Sequence, residues 1–224
     1  VDTISSQLYS MLLSFAKGYI RKTCVSTIIT EKMIEKSKEL YEELSKQTTV
    51  ETFNSKLKEL LQVAPRKVFS IKELLAKTEN DFVNIMDRED TLIKSMQAVN
   101  GDLEESEILD FSKKIVVKEP TEKQKEMVLN QLDDNLRRKV RRIYRVYNQE
   151  RKKAFEDYIE RNHISKKKML WHGSRNENWL SIIDNGLLIN PNAVITGKMF
   201  GYGIYFAPNC KKSWGYTSSS SAYW

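Results

Sequence analysis

The sequence is poor in cysteine, histidine, proline and glycine: its 224 residues include 2 Cys, 2 His, 4 Pro and 8 Gly. So few glycines and prolines exclude a collagen-like or low-complexity chain. Cys24 and Cys210 lie far apart and match neither a disulfide framework nor a zinc motif, which favours a reducing, intracellular setting. No apolar run approaches the roughly 18 residues of a membrane span, and Val1-Asp2-Thr3 does not open a signal peptide, so we expect no membrane partner.

The charge is basic overall and uneven along the chain. Lys and Arg number 37 against 30 Asp and Glu, which gives a formal net charge of +7. Residues 1–100 carry 15 basic and 14 acidic residues, whereas 137–168 carry 13 basic and 4 acidic ones. Such a stripe can contact the phosphates of a nucleic acid, or it can be a solvated strand edge and helix face. The composition favours the solvated face over the nucleic-acid contact.

The first hundred residues have the apolar spacing of an all-α bundle. Apolar side chains recur there at i, i+3/i+4 and i+7, the period of a helix face that packs into a core. Asn100-Gly101, followed by the acidic stretch 102–107, predicts a domain boundary. The predicted helices are 8–20, 30–44 capped by Thr30, about 53–61 before Pro65, and a long helix from the Ser70-x-x-Glu73 capping box to Met96.

After Gly101 the pattern alternates between strands and helices. Predicted strands are 115–117, 140–147, 169–172 and 204–207, and predicted helices are 121–132, 149–161 and 176–185, the last stopped by Gly186. The fold class is therefore predicted to be α+β, with an all-α domain (1–100) followed by an α+β domain (101–224).

Most familiar chemical motifs are excluded. Gly201-Tyr202-Gly203 lacks a third glycine and precedes its strand, so it is not a dinucleotide-binding turn. Two isolated histidines and two isolated cysteines give no metal-ligand cluster. His163 lies among polar residues and is expected to be exposed. His172 ends an apolar strand beside Gly173 and is placed to face a ligand, but this position alone favours a structural role over a functional one.

An ordered series of short motifs points to one family. The series is Leu170-Trp171-His172-Gly173-Ser174, Gly186-Leu187, Thr196-Gly197, Met199-Phe200-Gly201, Gly203-Ile204-Tyr205-Phe206-Ala207 and Lys212-Ser213 with Tyr216. It closely resembles the catalytic domain of the poly(ADP-ribose) polymerase family, a diphtheria-toxin-like ADP-ribosyltransferase. The resemblance is strong over 169–216 and weaker over 106–170. Residues 1–100 resemble the family's helical regulatory domain, which is autoinhibitory.

The resemblance implies an enzyme that transfers ADP-ribose from NAD to protein or nucleic-acid acceptors, itself included, and releases nicotinamide. NAD is then a substrate and no metal is expected. A role in the DNA-damage response follows from the same resemblance, with DNA bound by upstream domains outside this chain. The implied location is intracellular, nuclear in a eukaryote and cytoplasmic in a bacterium.

At the nicotinamide end, the resemblance assigns a role to each matching residue. His172 hydrogen-bonds a ribose 2′-hydroxyl, and the Gly173 backbone and Ser213 hydroxyl hold the carboxamide. Tyr216 stacks on the nicotinamide ring, and Tyr205 packs on its other side. These assignments make chemical sense, because a flat aromatic amide needs a π-face together with paired donor and acceptor groups.

At the other positions, Ser174 and Asn178 are implied to lie toward the adenosine half, and Lys212 near the reacting ribose. The resemblance therefore places His172, Tyr205 and Lys212 in the catalytic group. The bond broken joins nicotinamide to ribose through an oxocarbenium-like transition state, so positioning and electrostatics are expected to supply most of the catalysis.

Two departures from the family pattern matter. Leu188 stands where the family often has an arginine that contacts adenosine. No residue matches the family's catalytic glutamate, which lies well beyond the Lys212–Tyr216 segment, so we expect the transferase domain to be incomplete at Trp224. The alternative is a catalytically degenerate module that binds NAD or ADP-ribose without turnover.

Overall fold

The computed structural model describes residues 2–103, 114–187 and 204–218. These residues form helices and one two-stranded sheet, which confirms the predicted α+β class. Most of the acidic stretch 102–107, Leu188 and the glycines at 197, 201 and 203 lie outside the described residues. Within the described ranges, no helix combines the length and apolar character needed to cross a membrane.

The described residues divide into two compact units. One contains residues 2–12, 114–186 and 205–218, and the other contains 13–103 with 187 and 204. We refer to them as the mixed unit and the helical unit. The assignment of 1–100 to a regulatory domain and of 101–224 to a catalytic domain stays a prediction.

The helical elements follow the predicted order, and the caps explain where two of them begin. The helices are α1 (Thr3–Thr23), α2 (Glu31–Ser45), α3 (Val50–Val63) and α4 (Phe82–Val99). The Thr30 hydroxyl accepts a hydrogen bond from the Met33 amide at 3.2 Å, and Thr49 does the same for the first turn of α3. α4 ends at Val99, and the next residue, Asn100, has a left-handed φ of 34° that turns the chain out of the helix.

The long helix predicted from Ser70 to Met96 was wrong. The Ser70 hydroxyl does accept from the Lys72 amide, but it opens only a 3₁₀ turn, Ile71–Leu74. Further on, the Asp81 carboxylate accepts from the Lys77 and Thr78 amides at 2.8 and 2.9 Å. These bonds hold a second short turn, so the α-helix begins only at Phe82.

The core of the helical unit lies between α2, α3 and α4. Phe53 and Phe82 stack with ring centroids 3.9 Å apart and an interplanar angle of 9°. The buried side chains around them are Leu40, Leu44, Leu57, Leu60, Leu61, Ala76, Ile85 and Met86. The apolar stripes predicted from the sequence are thus core-packing faces, which confirms the bundle interpretation.

A buried ion pair joins the segment after α3 to α4. The Arg66 guanidinium donates to both carboxylate oxygens of Glu89, at 2.8 and 2.5 Å, and the two side chains are 3% and 1% exposed. Arg88 adds a third contact to the same carboxylate at 3.0 Å. Burial pushes the pKa of Glu89 upward, but the hydrogen bonds and charges of the two arginines outweigh burial and hold this pKa below its usual range.

The mixed unit is built around an antiparallel strand pair. Strand β1 (Ile115–Lys118) pairs with β2 (Arg145–Asn148), with Ile115 opposite Asn148. Helices α5 (Glu122–Leu129) and α6 (Asp134–Lys139) lie between the two strands in sequence, and α7 (Gln149–Arg161), α8 (Trp179–Asn185) and α9 (Cys210–Trp214) follow. Thr121 and Gln124 form the predicted capping box before α5.

Several predicted elements of this unit are shorter in the structure. The strand predicted over 140–147 is regular only over 145–148, and the helix predicted to residue 132 ends at Leu129. The strands predicted over 169–172 and 204–207 reduce to one bridging pair. α7 has the predicted bounds, 149–161, and α8 ends at Gly186, whose φ is 79°.

Candidate functional site

Two motif segments that are distant in sequence lie side by side. The Trp171 amide donates to the Ala207 carbonyl at 2.7 Å, and the Ala207 amide donates back to the Trp171 carbonyl at 2.9 Å. This reciprocal pair is one rung of an antiparallel ladder. It brings His172, which follows Trp171, alongside Tyr205.

His172 is fixed by a backbone contact. Its Nδ1 atom lies 3.0 Å from the Tyr205 carbonyl oxygen. Because a carbonyl oxygen only accepts, Nδ1 must carry the hydrogen, and the neutral ring then leaves Nε2 as an acceptor. The rings of Trp179 and Phe206 flank the imidazole, with centroids 6.1 and 5.6 Å away. The ring therefore has a defined orientation and one nitrogen that can accept a hydrogen bond from a hydroxyl group.

Gly173 lies against the backbone of Ser213. A Cβ at position 173 would lie 1.9 Å from the Ser213 carbonyl oxygen and 2.8 Å from its carbonyl carbon. No side chain fits in that space, so glycine is required for this close approach. Ser213 is buried on α9, and the structure thus brings together the two residues that the family resemblance implies for one amide group.

The Ser174 side of the site is held by α8 and the turn before it. Asn178 is buried, and its Nδ2 donates to the Ser174 hydroxyl at 2.9 Å. The Trp179 indole donates to the Ser174 carbonyl oxygen at 3.3 Å. The Oδ1 atom of Asn178 is buried without a hydrogen-bond partner in the described structure. A buried unpaired acceptor costs about 1–3 kcal/mol, so a ligand that donates a hydrogen bond there would gain free energy.

The remaining predicted residues lie on or near α9. Tyr216 is 56% exposed, and its amide donates to the Ser213 carbonyl at 3.1 Å, which places it directly after the helix. Lys212 is exposed on α9. Tyr205 is half-buried and joins the site through the carbonyl that holds His172. His163 is exposed, as predicted.

Two supporting residues had no signal in the sequence. The Gln131 side-chain oxygen accepts from the Trp171 indole at 2.9 Å, across 40 positions of sequence. Lys139 at the end of α6 lies over the Trp214 ring, 5.5 Å from its centroid. These contacts connect the α5–α6 region to the strand segment before His172 and to α9, and only the tertiary structure reveals them.

Neither cysteine has the environment of a reactive thiol. Cys24 and Cys210 are both free and buried. Burial is the main cause that raises the pKa of each thiol, and a raised pKa lowers the fraction of nucleophilic thiolate. The arrangement around His172 therefore offers aromatic faces, hydroxyl groups and an imidazole rather than a thiol nucleophile.

Comparison with known proteins adds to this geometry. A family model described as the poly(ADP-ribose) polymerase catalytic domain matches residues 118–223. Residues 118–223 belong to the poly(ADP-ribose) polymerase family. The matched segment contains every residue that the motif series singles out, from His172 to Tyr216.

Individual poly(ADP-ribose) polymerases are similar over short segments. Poly [ADP-ribose] polymerase 2 of Homo sapiens is 49% identical over 61 residues, 27% of this chain and 10% of that protein. Poly [ADP-ribose] polymerase 2 of Zea mays is 51% identical over 55 residues, covering 24% and 8%. Poly [ADP-ribose] polymerase 1 of Gallus gallus is 41% identical over 85 residues, covering 38% and 8%. The matching part of the chain thus spans a tenth or less of each relative.

Proposed function

We propose that this chain acts as an NAD-dependent ADP-ribosyltransferase that transfers ADP-ribose to protein or nucleic-acid acceptors and releases nicotinamide. The observation that carries the proposal is the pairing of Trp171 with Ala207. Through it, His172 is held by Tyr205 within a segment that matches the family's catalytic domain.

The nicotinamide end of NAD would be held around Gly173. Its backbone and the Ser213 hydroxyl would bind the carboxamide, because the absence of a side chain at 173 lets the Ser213 backbone lie directly beside it. The exposed ring of Tyr216 would stack on nicotinamide, and Tyr205 would pack on the opposite face. The Nε2 atom of His172 would accept from a ribose 2′-hydroxyl, since Nδ1 already donates to Tyr205.

The adenosine half would lie toward Ser174 and Asn178. The unpaired Oδ1 atom of Asn178 suits the donor of an amino or hydroxyl group there. Lys212 would lie near the reacting ribose. In the reaction, the bond between nicotinamide and ribose breaks, nicotinamide leaves with the bonding electrons, and an acceptor nucleophile bonds to the ribose carbon as it loses its proton to solvent water. His172, Tyr205 and Lys212 would position the reacting ribose, and Lys212 would do so as a hydrogen-bond donor, because its ammonium group cannot stabilise the developing positive charge.

The wider biology belongs to the same proposal. The regulatory, autoinhibitory role of 1–100 is proposed from the family resemblance, and the buried core of the helical unit supports only a compact helical fold for most of these residues. We place the protein in the DNA-damage response, with protein acceptors that include itself and with DNA bound through domains outside this chain. Two free, buried cysteines support an intracellular location, nuclear or cytoplasmic according to the organism.

A second candidate is a module that binds NAD or ADP-ribose without turnover. The contacts of His172, Gly173 and Asn178 concern binding and do not require turnover, so they fit this candidate as well. The two candidates share the binding site and differ in the chemical step.

One experiment separates the candidates. The chain is incubated with NAD labelled in the nicotinamide ring, NAD binding is measured by calorimetry, and free nicotinamide is measured by chromatography. Binding with nicotinamide release that is lost in His172→Ala supports the transferase. Binding without release supports the module. Absence of binding by a folded chain overturns both.

A further inference from the structure

A dense group of cations lies on the mixed unit beside the candidate site. We call it the α6 basic surface. It covers the last turn of α6, the segment after α6 and the first residue of β2, and its members are Arg137, Arg138, Lys139, Arg141, Arg142 and Arg145. Five of these side chains belong to exposed residues, and Arg145 is half-buried.

Few of these cations are neutralised by acidic side chains. The Arg137 guanidinium donates to the Leu129 carbonyl at 2.9 Å and to the Asn130 side chain at 3.0 Å, and Arg138 donates to the Asp134 carbonyl at 3.1 Å. Among the described residues, Arg142 is the one member that forms an ion pair, with Glu119. The surface therefore keeps most of its positive charge and attracts anions.

Aromatic rings hold three of the cations in place. The Arg142 and Arg145 guanidinium carbons each lie 4.7 Å from a tyrosine ring centroid, those of Tyr144 and Tyr147 respectively. Lys139 lies 5.5 Å from the Trp214 ring centroid. A guanidinium stacked on a ring keeps its N–H groups in the plane, where they can bind the paired oxygens of a phosphate.

We propose that the α6 basic surface binds the phosphate backbone of a nucleic acid without regard to base sequence. Arginine dominates it, and arginine matches phosphate oxygens bidentately better than a point charge does. Three of the cations lie on the last turn of α6, Arg141 and Arg142 lie in the segment after it, and Arg145 begins β2. The charges are therefore spread along the chain and can contact several phosphates of one strand.

The position of the surface links it to the candidate site. Lys139 contacts Trp214, the residue after Ser213, so a bound strand would pass beside α9. The proposal goes beyond ADP-ribose transfer and does not depend on it, because the binding requires no NAD.

The test measures binding of the whole chain to fluorescein-labelled 20-nucleotide DNA, single-stranded and duplex, by anisotropy over a range of salt concentrations and without NAD. Binding should weaken as the salt concentration rises. In a plot of the logarithm of the association constant against the logarithm of the salt concentration, we expect a slope of about −0.7 per phosphate contact on single strands and about −0.9 on duplex. The variant Arg137→Gln/Arg138→Gln/Arg141→Gln should bind DNA at least about tenfold more weakly. The slope of its salt dependence should become shallower by the amount that corresponds to the loss of about two to three phosphate contacts.

A matched control separates this surface from net charge. The variant Lys32→Gln/Lys38→Gln/Lys58→Gln also removes three positive charges, but from exposed positions of the helical unit. It should leave the affinity for DNA nearly unchanged. Because Arg137 and Arg138 also bond to the chain, thermal melts of every variant are compared, and Arg141→Gln alone, which disturbs no described contact, should still weaken binding by about two- to fivefold.

Four outcomes overturn the proposal. Absence of salt-dependent binding to either DNA removes it. Equal losses in the two triple variants make the binding a matter of net charge. Binding of polyglutamate as tight as that of DNA assigns the surface to acidic protein partners, and tighter binding of phosphatidylserine vesicles assigns it to a lipid surface. Since nicotinamide release is measured separately, none of these results bears on the transferase proposal.

Discussion

The Nδ1 atom of His172 lies 3.0 Å from the backbone carbonyl oxygen of Tyr205, so a residue of one motif determines the tautomer of a residue in another. The neutral imidazole carries its hydrogen on Nδ1 and presents Nε2 as a bare acceptor. One nitrogen of His172 anchors the ring and the other is proposed to contact the ligand. A substitution can therefore remove the ligand contact and keep the anchoring hydrogen bond.

Replacing His172 by asparagine should separate anchoring from ligand binding. The asparagine Nδ2 can donate to the Tyr205 carbonyl as Nδ1 does, but it has no equivalent of Nε2. We expect an unchanged melting temperature and NAD binding weakened by about 5- to 15-fold, the loss of one hydrogen bond of about 1–1.5 kcal/mol. Calorimetric titration with NAD measures the affinity.

His163 supplies the matched control, since the chain contains 2 histidines and this one is exposed. His163→Asn should bind NAD like the unaltered chain. Equal affinity of His172→Asn and His163→Asn would show that Nε2 of His172 does not contact the ligand.

Gly173→Ala should disrupt the contact between the motif and α9. The new Cβ would meet the Ser213 carbonyl oxygen at 1.9 Å, so one of the two backbone segments must move. Overpacking of this kind costs about 1–3 kcal/mol, and we expect at least about a tenfold loss of NAD affinity. Gly215→Ala is the control, because its Cβ would meet only the Lys212 carbonyl oxygen at an ordinary 3.6 Å. Comparable affinities in the two variants would contradict the proposed nicotinamide position.

We expect the side chain of Phe82 to contribute strongly to the stability of the helical unit. Its ring is buried and stacks on Phe53, so Phe82→Ala should lower the free energy of unfolding by about 3–5 kcal/mol. Phe69 is fully exposed, and Phe69→Ala should change it by less than about 0.5 kcal/mol. Urea denaturation followed by circular dichroism measures both. A small effect of Phe82→Ala would show that the ring is not part of the core.

The local elements were the part of the fold that the sequence could predict. The Thr30 and Thr121 caps, the bounds of α7 and the stop at Gly186 depend on neighbouring residues, and all are present in the structure. The long helix from Ser70 was wrong because the Asp81 carboxylate binds two amides just before Phe82. A capping box shows where a turn starts and not how far a helix continues.

The candidate site, like the fold, could be predicted from the sequence only in part. Its motif residues were named from the sequence, and the structure brings His172 to Tyr205 and Gly173 to Ser213. The contact of Gln131 with Trp171 could not be predicted, because a glutamine in a polar turn carries no sign of a partner 40 positions away. Long-range polar pairs of this kind depend on how the elements pack.

The Arg66–Glu89 pair should make the helical unit sensitive to acid. The pKa of Glu89 is lower in the folded protein than its unfolded value of 4.5. The ion pair therefore stabilises the fold fully above pH 4.5, and this stabilisation is lost as the pH falls from 4.5 through the folded pKa. At neutral pH, Glu89→Gln leaves the buried Arg66 charge unpaired and should lower the free energy of unfolding by about 3–5 kcal/mol. Urea titrations from neutral pH to below 4.5 measure the free energy of unfolding of both proteins, and the difference between Glu89→Gln and the unaltered chain should become smaller as the pH falls.

The double variant Arg66→Met/Glu89→Leu should recover most of the lost stability, because it removes both charges. A double variant as unstable as Glu89→Gln would mean that packing, and not the unpaired charge, causes the loss.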